Sequence, residues 1–540
     1  MQPSIEHWFR NAVLYQIYPR SFYDHNNDGI GDLKGIIEKL HYLKGDDDSI
    51  DIDVIWISPI FPSPMADFGY DVSNYQEVDP LFGNLDDFNQ LVMAAHERGI
   101  KLFIDFIPNH TSDQHRWFQE SRRSRDDPHR HWYTWRDPKD DGGPPNNWIS
   151  VFGGPAWEFD EHTGQYYLHS FLKQQPDLNW ENVEVRIAIK EAMCFWLELG
   201  VDGFRMDAVY WTSKDPDFRD DPVNKQYEDG TNPYFNLIHR YSKEGSKLYD
   251  YMSELADTLK CYKDKFMIIE ASPEHGDINK SYMNLYERVD ASVSAPFNFE
   301  GLNTPWNAKA FQTFIDSFQS GMHPSYVPVY CLGNHDQPRL ASRLGIRQAR
   351  SAAVLQLSLP GMPVIYYGDE LGMTDVVIGP EDIRDTFELR VPGKGLGRDP
   401  ERSPMQWNTS KNAGFSNTKP WLPIGSDYEK VNVDYESRDP YSSLQLYKRL
   451  LTLRKKYTVL RQGSYESISL HENVYCFKRA IPNEVTITVI NFSDEPIKLV
   501  HNILHGKLLL SSNLDIFDQK LTGKLILRPH EAVIVLMEPV

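Results

Sequence analysis

The sequence predicts an α/β fold: a (β/α)8 TIM barrel with an inserted subdomain after strand 3 and a C-terminal antiparallel β-sandwich domain. Three observations carry this. Eight apolar runs of strand length recur at 12–19, 54–60, 101–108, 200–209, 265–271, 293–298, 327–332 and 363–367. They show little alternation, as parallel strands buried on both faces do. Helical patterns separate several of them, at 85–98, 183–199 and 243–260, and strands alternating with helices are the signature of a closed parallel barrel.

Two intervals break the rhythm. The stretch 110–179, rich in Asp, Pro, Gly, His and Trp, reads as a subdomain inserted after the third strand. The polar stretch 372–436 is long enough to cap the barrel mouth. The barrel itself is expected over 1–109 and 180–460. Short alternating strands take over beyond it, so 461–540 reads as the β-domain.

Composition narrows the function. The chain has 540 residues, enough for two or three domains, and 40% hydrophobic residues, enough for a large core. Its formal charge is −21 and it has no basic patch, which argues against nucleic acid and anionic membranes as partners. The 13 Trp, 29 Tyr and 27 Phe suit carbohydrate, although large cores use aromatics too. Cys194, Cys261, Cys331 and Cys476 lie far apart without metal-type spacing. The first residues lack a basic or apolar leader, and no apolar run reaches the ~20 residues of a membrane span. A cytoplasmic protein, monomer or homodimer, is the expectation.

In such barrels the chemistry sits at the C-terminal ends of the strands. The third run ends in Asn109-His110, the fourth in Arg205 and Asp207, the fifth in Glu270, and the seventh in Asn334-His335-Asp336. Residues two apart on a strand share a face, so Arg205 and Asp207 emerge together, as a structural ion pair or as an oriented carboxylate nucleophile. Any one of these residues alone would read as structural. Three carboxylates and two histidines at one barrel mouth do not.

These segments resemble the signature regions of the α-amylase superfamily, glycoside hydrolase family thirteen. Flanking stretches resemble its α-glucosidase and oligo-1,6-glucosidase branch: Tyr15-Gln16-Ile17-Tyr18-Pro19-Arg20-Ser21-Phe22, Gly69-Tyr70-Asp71, Gln175-Pro176-Asp177-Leu178-Asn179-Trp180 and Arg402-Ser403-Pro404-Met405-Gln406-Trp407. The resemblance implies a retaining mechanism with Asp207 as nucleophile and Glu270 as acid/base. The apolar strand leading into Glu270 favours a carboxyl that can hold a proton. Asp336 would hold the 2- and 3-hydroxyls of the distorted sugar, with Arg205, His110 and His335 as further donors. Glu274, in the stretch Glu270-Ala271-Ser272-Pro273-Glu274, is a rival acid, although the strand-end rule favours Glu270.

The resemblance further implies a stacking Tyr70 and a sugar-binding Asp67, with Arg402 pairing Asp67 to close a pocket around a terminal glucose. Phe171 and Phe152 would line the acceptor side or belong to the core. Ala208 stands where relatives with valine tend to α-1,6 bonds and those with threonine or alanine to α-1,4, so a maltase-like exo-glucosidase acting on a disaccharide or oligosaccharide is expected. Other readings are an oligo-1,6-glucosidase, a trehalose or isomaltulose synthase, or an inactive barrel serving as a binding or transporter-partner subunit. The last is disfavoured because all three carboxylates are present.

Near the N-terminus, Asp24-His25-Asn26-Asn27-Asp28-Gly29-Ile30-Gly31-Asp32 sets oxygen side chains at alternate positions around a glycine. That is either an Asx-rich turn or a loop for a hard cation. The resemblance implies structural Ca²⁺ or Mg²⁺ held by Asp24, Asn26, Asp28, the Ile30 carbonyl and Asp32. No organic cofactor is implied.

Overall fold

The computed structural model describes residues 7–45, 48–228, 230–274 and 276–538. Eight strands close into a parallel barrel: β1 Leu14–Ile17, β2 Val54–Ile57, β3 Lys101–Phe106, β4 Gly203–Met206, β5 Phe266–Ile269, β6 Ser294–Asn298, β7 Val329–Cys331 and β8 Met362–Tyr366. Seven fall within the apolar runs of the sequence, and β8 begins one residue ahead of its run, at Met362. β1 closes the ring by pairing with both β2 (Tyr15 opposite Ile55) and β8 (Tyr15 opposite Ile365). β1, β2, β4 and β5 are buried at every position, which is why their sequences do not alternate. Gly203 is a packing requirement: a Cβ there would lie 2.1 Å from the Phe266 carbonyl oxygen and 2.4 Å from the Phe103 ring.

A helix follows each strand: α1 Leu33–Leu43, α2 Leu85–Glu97, α3 Val183–Glu198, α4 Leu248–Lys260, α5 Ile278–Arg288, α6 Ala308–Ser320, α7 Ile346–Ser358 and α8 Ser443–Lys456. Six of them begin at an Asp, Asn or Ser whose side chain accepts a first-turn amide: Asp32, Asn84, Asn182, Asp277, Asn307 and Ser442. The helical pattern expected from 243 starts later, at Leu248. The reason is Lys243, whose side chain is buried and tied to the loop after β5 through the Ser272 carbonyl and the Glu274 carboxylate, leaving 243–247 as a turn.

The insertion after β3 carries a short helix, Arg116–Ser121, and a three-stranded antiparallel sheet in which Gln165–Leu168 lies between Trp135–Arg136 and Trp157–Asp160. Trp148, Ala156, Trp157 and Leu168 form its own small core. The polar excursion after β8 contains only short helical turns, among them Thr386–Arg390.

Beyond the barrel, β9 Ser464–His471, β10 Val474–Ile481, β11 Glu484–Asn491, β12 Ile497–Ser511, β13 Gln519–Leu527 and β14 Ala532–Met537 pair antiparallel. They hydrogen-bond in the order β9-β10-β11-β14-β12-β13, the antiparallel C-terminal sheet domain that was expected. Register shifts between Ile468 and His471, and between Val500 and His505, bend that sheet over a core that includes Cys476, Ile487, Leu504 and Leu525. Buried Arg479 fastens it to the barrel through the Ser358 and Leu460 carbonyls.

Candidate active site

β4 ends in Arg205, whose guanidinium is the hub of the site. Its Nη1 lies 2.7 Å from Asp105 Oδ1 and 2.6 Å from Asp207 Oδ1, and its Nη2 lies 2.9 Å from Glu270 Oε2. Asp105 comes from β3, Asp207 follows β4 and Glu270 follows β5, so three adjacent strands deliver three carboxylates to one cation. Neighbouring strands are only about 4.8 Å apart, so Asp207 and Glu270 emerge close together.

One guanidinium cannot neutralise three carboxylates. Burial pushes the Asp105 carboxyl up to about 6, against the pull of Arg205. Burial likewise raises Asp207 well above the carboxylate range; Arg205 opposes this, while the charges of Glu270, Asp105 and Asp336 add to it. Glu270 accepts the Ala208 N–H at 2.8 Å as well as Arg205. Its seat is therefore polar, where the apolar strand leading to it pointed to an apolar one. Ala208 reaches it by adopting a left-handed conformation (φ 50°, ψ 29°), which is uncommon for a residue with a Cβ.

Asp336, after β7, lies 2.9 Å from Arg402 Nη2 and 3.2 Å from Arg398 Nη1. Burial would raise its carboxyl, but the neighbouring positive charges overcome this and hold it below the usual range. His335 is neutral at pH 7, because burial pushes its imidazole down to about 3. Gln16 Nε2 donates to its Nδ1 at 2.7 Å, leaving Nε2–H for the Tyr70 hydroxyl at 2.7 Å; that hydroxyl in turn donates to Asp105 at 3.1 Å. His110 is also neutral, pushed by burial down to about 4, with Nε2 3.1 Å from the Tyr70 carbonyl oxygen. Tyr70, His110 and His335 thus form one hydrogen-bonded wall beside the carboxylates.

The expected pairing of Asp67 with Arg402 is corrected by the structure. Asp67 pairs with Arg398, 2.8 Å from its Nη2, and also accepts from Gln175 Nε2 at 3.2 Å. Arg402 instead donates through Nε to the His335 carbonyl at 2.8 Å and through Nη2 to Asp336. The only sequence signal for Arg398 is its place in Gly397-Arg398-Asp399, just ahead of the Arg402 motif. Asp105 and Asp385, which faces Arg398 at 2.6 Å, were also missed.

Phe171 joins the site through His110, their ring centroids 5.0 Å apart, and continues into Trp211 at 4.9 Å and Phe152 at 6.4 Å. Phe387 extends the row, 4.9 Å from Phe152. Glu274 is drawn into the ion pair with buried Lys243, which separates it from the Arg205 hub.

The N-terminal loop lies apart from these carboxylates in the hydrogen-bond network. Asp24 accepts the Asn27 and Gly29 amides, Asp28 the Ile30 amide, and Asp32 the His25, Asn26 and Gly35 amides. As folded it is a set of Asx turns, and among the described residues no three His, Cys, Asp or Glu side chains converge as a metal cluster. Its donor set of side-chain and carbonyl oxygens is of the kind hard cations take.

A closed parallel barrel with paired carboxylates at the C-terminal ends of adjacent strands is the layout of a barrel-enzyme active site, and paired carboxylates are what glycoside cleavage uses. Comparison with known proteins identifies which. Residues 16–463 match the family described as "Alpha amylase, catalytic domain". The oligo-1,6-glucosidase of Parageobacillus thermoglucosidasius is 39% identical over 97% of this chain and 98% of its own. The α-glucosidase of Apis mellifera is 39% identical over 92% and 87%. Among solved structures, the α-glucosyl transfer enzyme XgtA superposes with a TM-score of 0.91 at 37% identity, over 98% and 99% of the two chains. The trehalulose synthase MutB of Pseudomonas mesoacidophila does so with 0.87 at 34%, over 98% and 99%. This chain belongs to the α-amylase family, glycoside hydrolase family thirteen.

Proposed function

We propose that the protein is a retaining, exo-acting α-glucosidase that releases glucose from the non-reducing ends of short α-glucosides, with α-1,4 bonds preferred. The observation that carries the exo reading is Arg398, seated between Asp67 and Asp336: this ion-paired end turns the barrel mouth into a pocket for a single terminal sugar. Beside it, Asp207 attacks the anomeric carbon while Glu270 protonates the departing oxygen. The glycosyl group is then on Asp207, and Glu270 takes a proton from the water that releases it. The close emergence of the two carboxylates from neighbouring strands favours retention over inversion, which needs a wider gap for water. Asp336, kept ionised, accepts from the sugar hydroxyls, and Arg205 and the Tyr70 wall orient the same ring.

The test is glucose release from maltose, isomaltose, sucrose and trehalose by the purified protein. Rapid release from maltose supports the proposal, and preference for isomaltose moves the bond preference to α-1,6, as the relatives named oligo-1,6-glucosidase lead one to weigh. Disaccharide interconversion with little free glucose would favour transfer. The aromatic row Phe387–Phe152–Phe171–Trp211 supports that second reading, since it offers apolar faces to an acceptor sugar.

The roles of the two glutamates separate by mutation. Glu270→Gln is expected to lower kcat/KM on maltose by about 10²–10⁴-fold. The loss should be smaller on a 4-nitrophenyl glucoside, whose leaving group needs little protonation. Glu274→Gln should stay within a few fold of wild type, and the reverse order would transfer the acid role to Glu274.

A structural Ca²⁺ or Mg²⁺ on Asp24, Asn26, Asp28, the Ile30 carbonyl and Asp32 is a separate part of the proposal, supported by that loop's oxygen donors. Adding Ca²⁺ to chelator-stripped protein is expected to raise its melting temperature, and Asp28→Ala to abolish the rise. No response to either ion would remove this part. Among the described residues no helix is long and apolar enough to cross a membrane, and the four cysteines are unpaired. The latter supports a reducing, cytoplasmic setting.

A further inference from the structure

Arg398 touches three carboxylates, and only two of them, Asp67 and Asp336, face the proposed sugar. The third, Asp385, is fully buried and belongs to the same polar excursion as Arg398. Its contacts are unusually complete. Arg398 Nη2 donates to Asp385 Oδ1 at 2.6 Å, and Nε lies 3.2 Å from both carboxylate oxygens. The Arg398 backbone N–H donates to Oδ2 at 2.9 Å. Asp399 returns the tie, its Oδ2 accepting the Arg384 and Asp385 amides at 2.6 and 2.8 Å. The segments of the excursion around 385 and 398 are thus laced to each other, and Thr386 Oγ1 pins them to the Ala66 carbonyl at 2.7 Å, one residue before Asp67.

We propose that Asp385 is a positioning residue for substrate: it fixes the Arg398 guanidinium so that Nη1 meets Asp336 and Nη2 meets Asp67, and thereby holds the closed end of the sugar pocket. The inference rests on the glucosidase reading above. The excursion has no long helix or strand of its own to orient a side chain with four rotatable bonds. A buried, forked carboxylate supplies that order instead, matching the planar guanidinium on its Nε edge and leaving the far nitrogen for Asp336. It also balances charge. Asp336 and Asp67 then need not carry the Arg398 charge alone, so either can turn to a sugar hydroxyl without leaving the cation unpaired.

The experiment is steady-state hydrolysis of 4-nitrophenyl α-D-glucoside by wild type, Asp385→Ala, Asp385→Asn, Arg398→Ala and the Arg398→Ala/Asp385→Ala double variant, each with its melting temperature. Asp385→Ala is expected to raise KM about 10–100-fold, the scale of lost charge-assisted hydrogen bonds, with a much smaller change in kcat. Asp385→Asn, which keeps the shape and one acceptor oxygen, should recover part of the loss and carries the test if the alanine variant does not fold. In the Arg398→Ala background the Asp385 substitution should change KM less than about two-fold, because its only route to substrate is gone. The same factor in both backgrounds, or a fall in kcat with KM unchanged, overturns the positioning role. Asp385→Ala and Asp385→Asn both matching wild type overturns it while leaving the glucosidase reading intact. A wild-type protein inert on every α-glucoside overturns both.

Discussion

An Asp207→Asn protein is expected to fold as well as wild type and to hydrolyse α-glucosides on the order of 10⁴–10⁶-fold more slowly, the scale on which removal of a nucleophile acts. The amide keeps the shape and can still face Arg205, but it cannot form the glycosyl ester. The fold should not suffer, and the sign of the carboxyl shift says why. Burial and three neighbouring carboxylates hold Asp207 above its unfolded value. A carboxyl raised in this way adds stability below its unfolded range and loses that contribution as the pH climbs through its folded value. Holding the charge there is a burden on the fold, so the neutral amide should leave the melting temperature equal or higher. Kinetics and thermal unfolding at pH 7 check both halves; a variant with substantial turnover would remove Asp207 from the nucleophile role.

The second large effect is on stability. Arg205→Met removes the one cation that, among the described residues, touches Asp105, Asp207 and Glu270 together, leaving buried charge without a partner. Breaking such an arrangement costs about 3–5 kcal/mol. The loss should depend on pH. Asp105 is already pushed up to about 6 with Arg205 in place, and without the guanidinium its carboxyl and that of Asp207 rise further. Protonation then relieves the repulsion, so the penalty should be largest at pH 8 and shrink as pH falls through 6 towards 5. Melting temperatures of the variant and wild type across that range test this, and a penalty equal at every pH would show that Arg205 acts by packing alone.

What the sequence made legible follows from periodicity. Strands buried on both faces write themselves as unbroken apolar runs, and the residue closing each run is aimed at the barrel mouth by the strand itself. That is why Asp207, Glu270, Asp336, His110 and His335 are legible as one group in the sequence alone. Loops carry no such rule. Arg398 and Arg402 lie four residues apart in an excursion with no long helix, so nothing in their spacing tells which one turns towards Asp67. Lys243 posed the same difficulty: it looked like the start of a helix, but its partner Glu274 is 31 residues away. The antiparallel last domain was legible in its short alternating strands, whereas the register shifts that bend it, between Ile468 and His471 and between Val500 and His505, carry no mark in composition.

Ala208 ties these matters to how such enzymes diversify. Its left-handed backbone aims its amide at Glu270, while its side chain stands directly after Asp207, at the position on which the proposed α-1,4 preference rests. A branched residue there would enlarge the side chain beside the nucleophile and, in the same step, strain the turn that delivers the amide. Under the proposed function, selectivity and rate are therefore pleiotropic at this codon. A library built at position 208 to change the linkage cleaved would be sampling acid/base efficiency as well, and its winners would be those in which a second site has restored the turn.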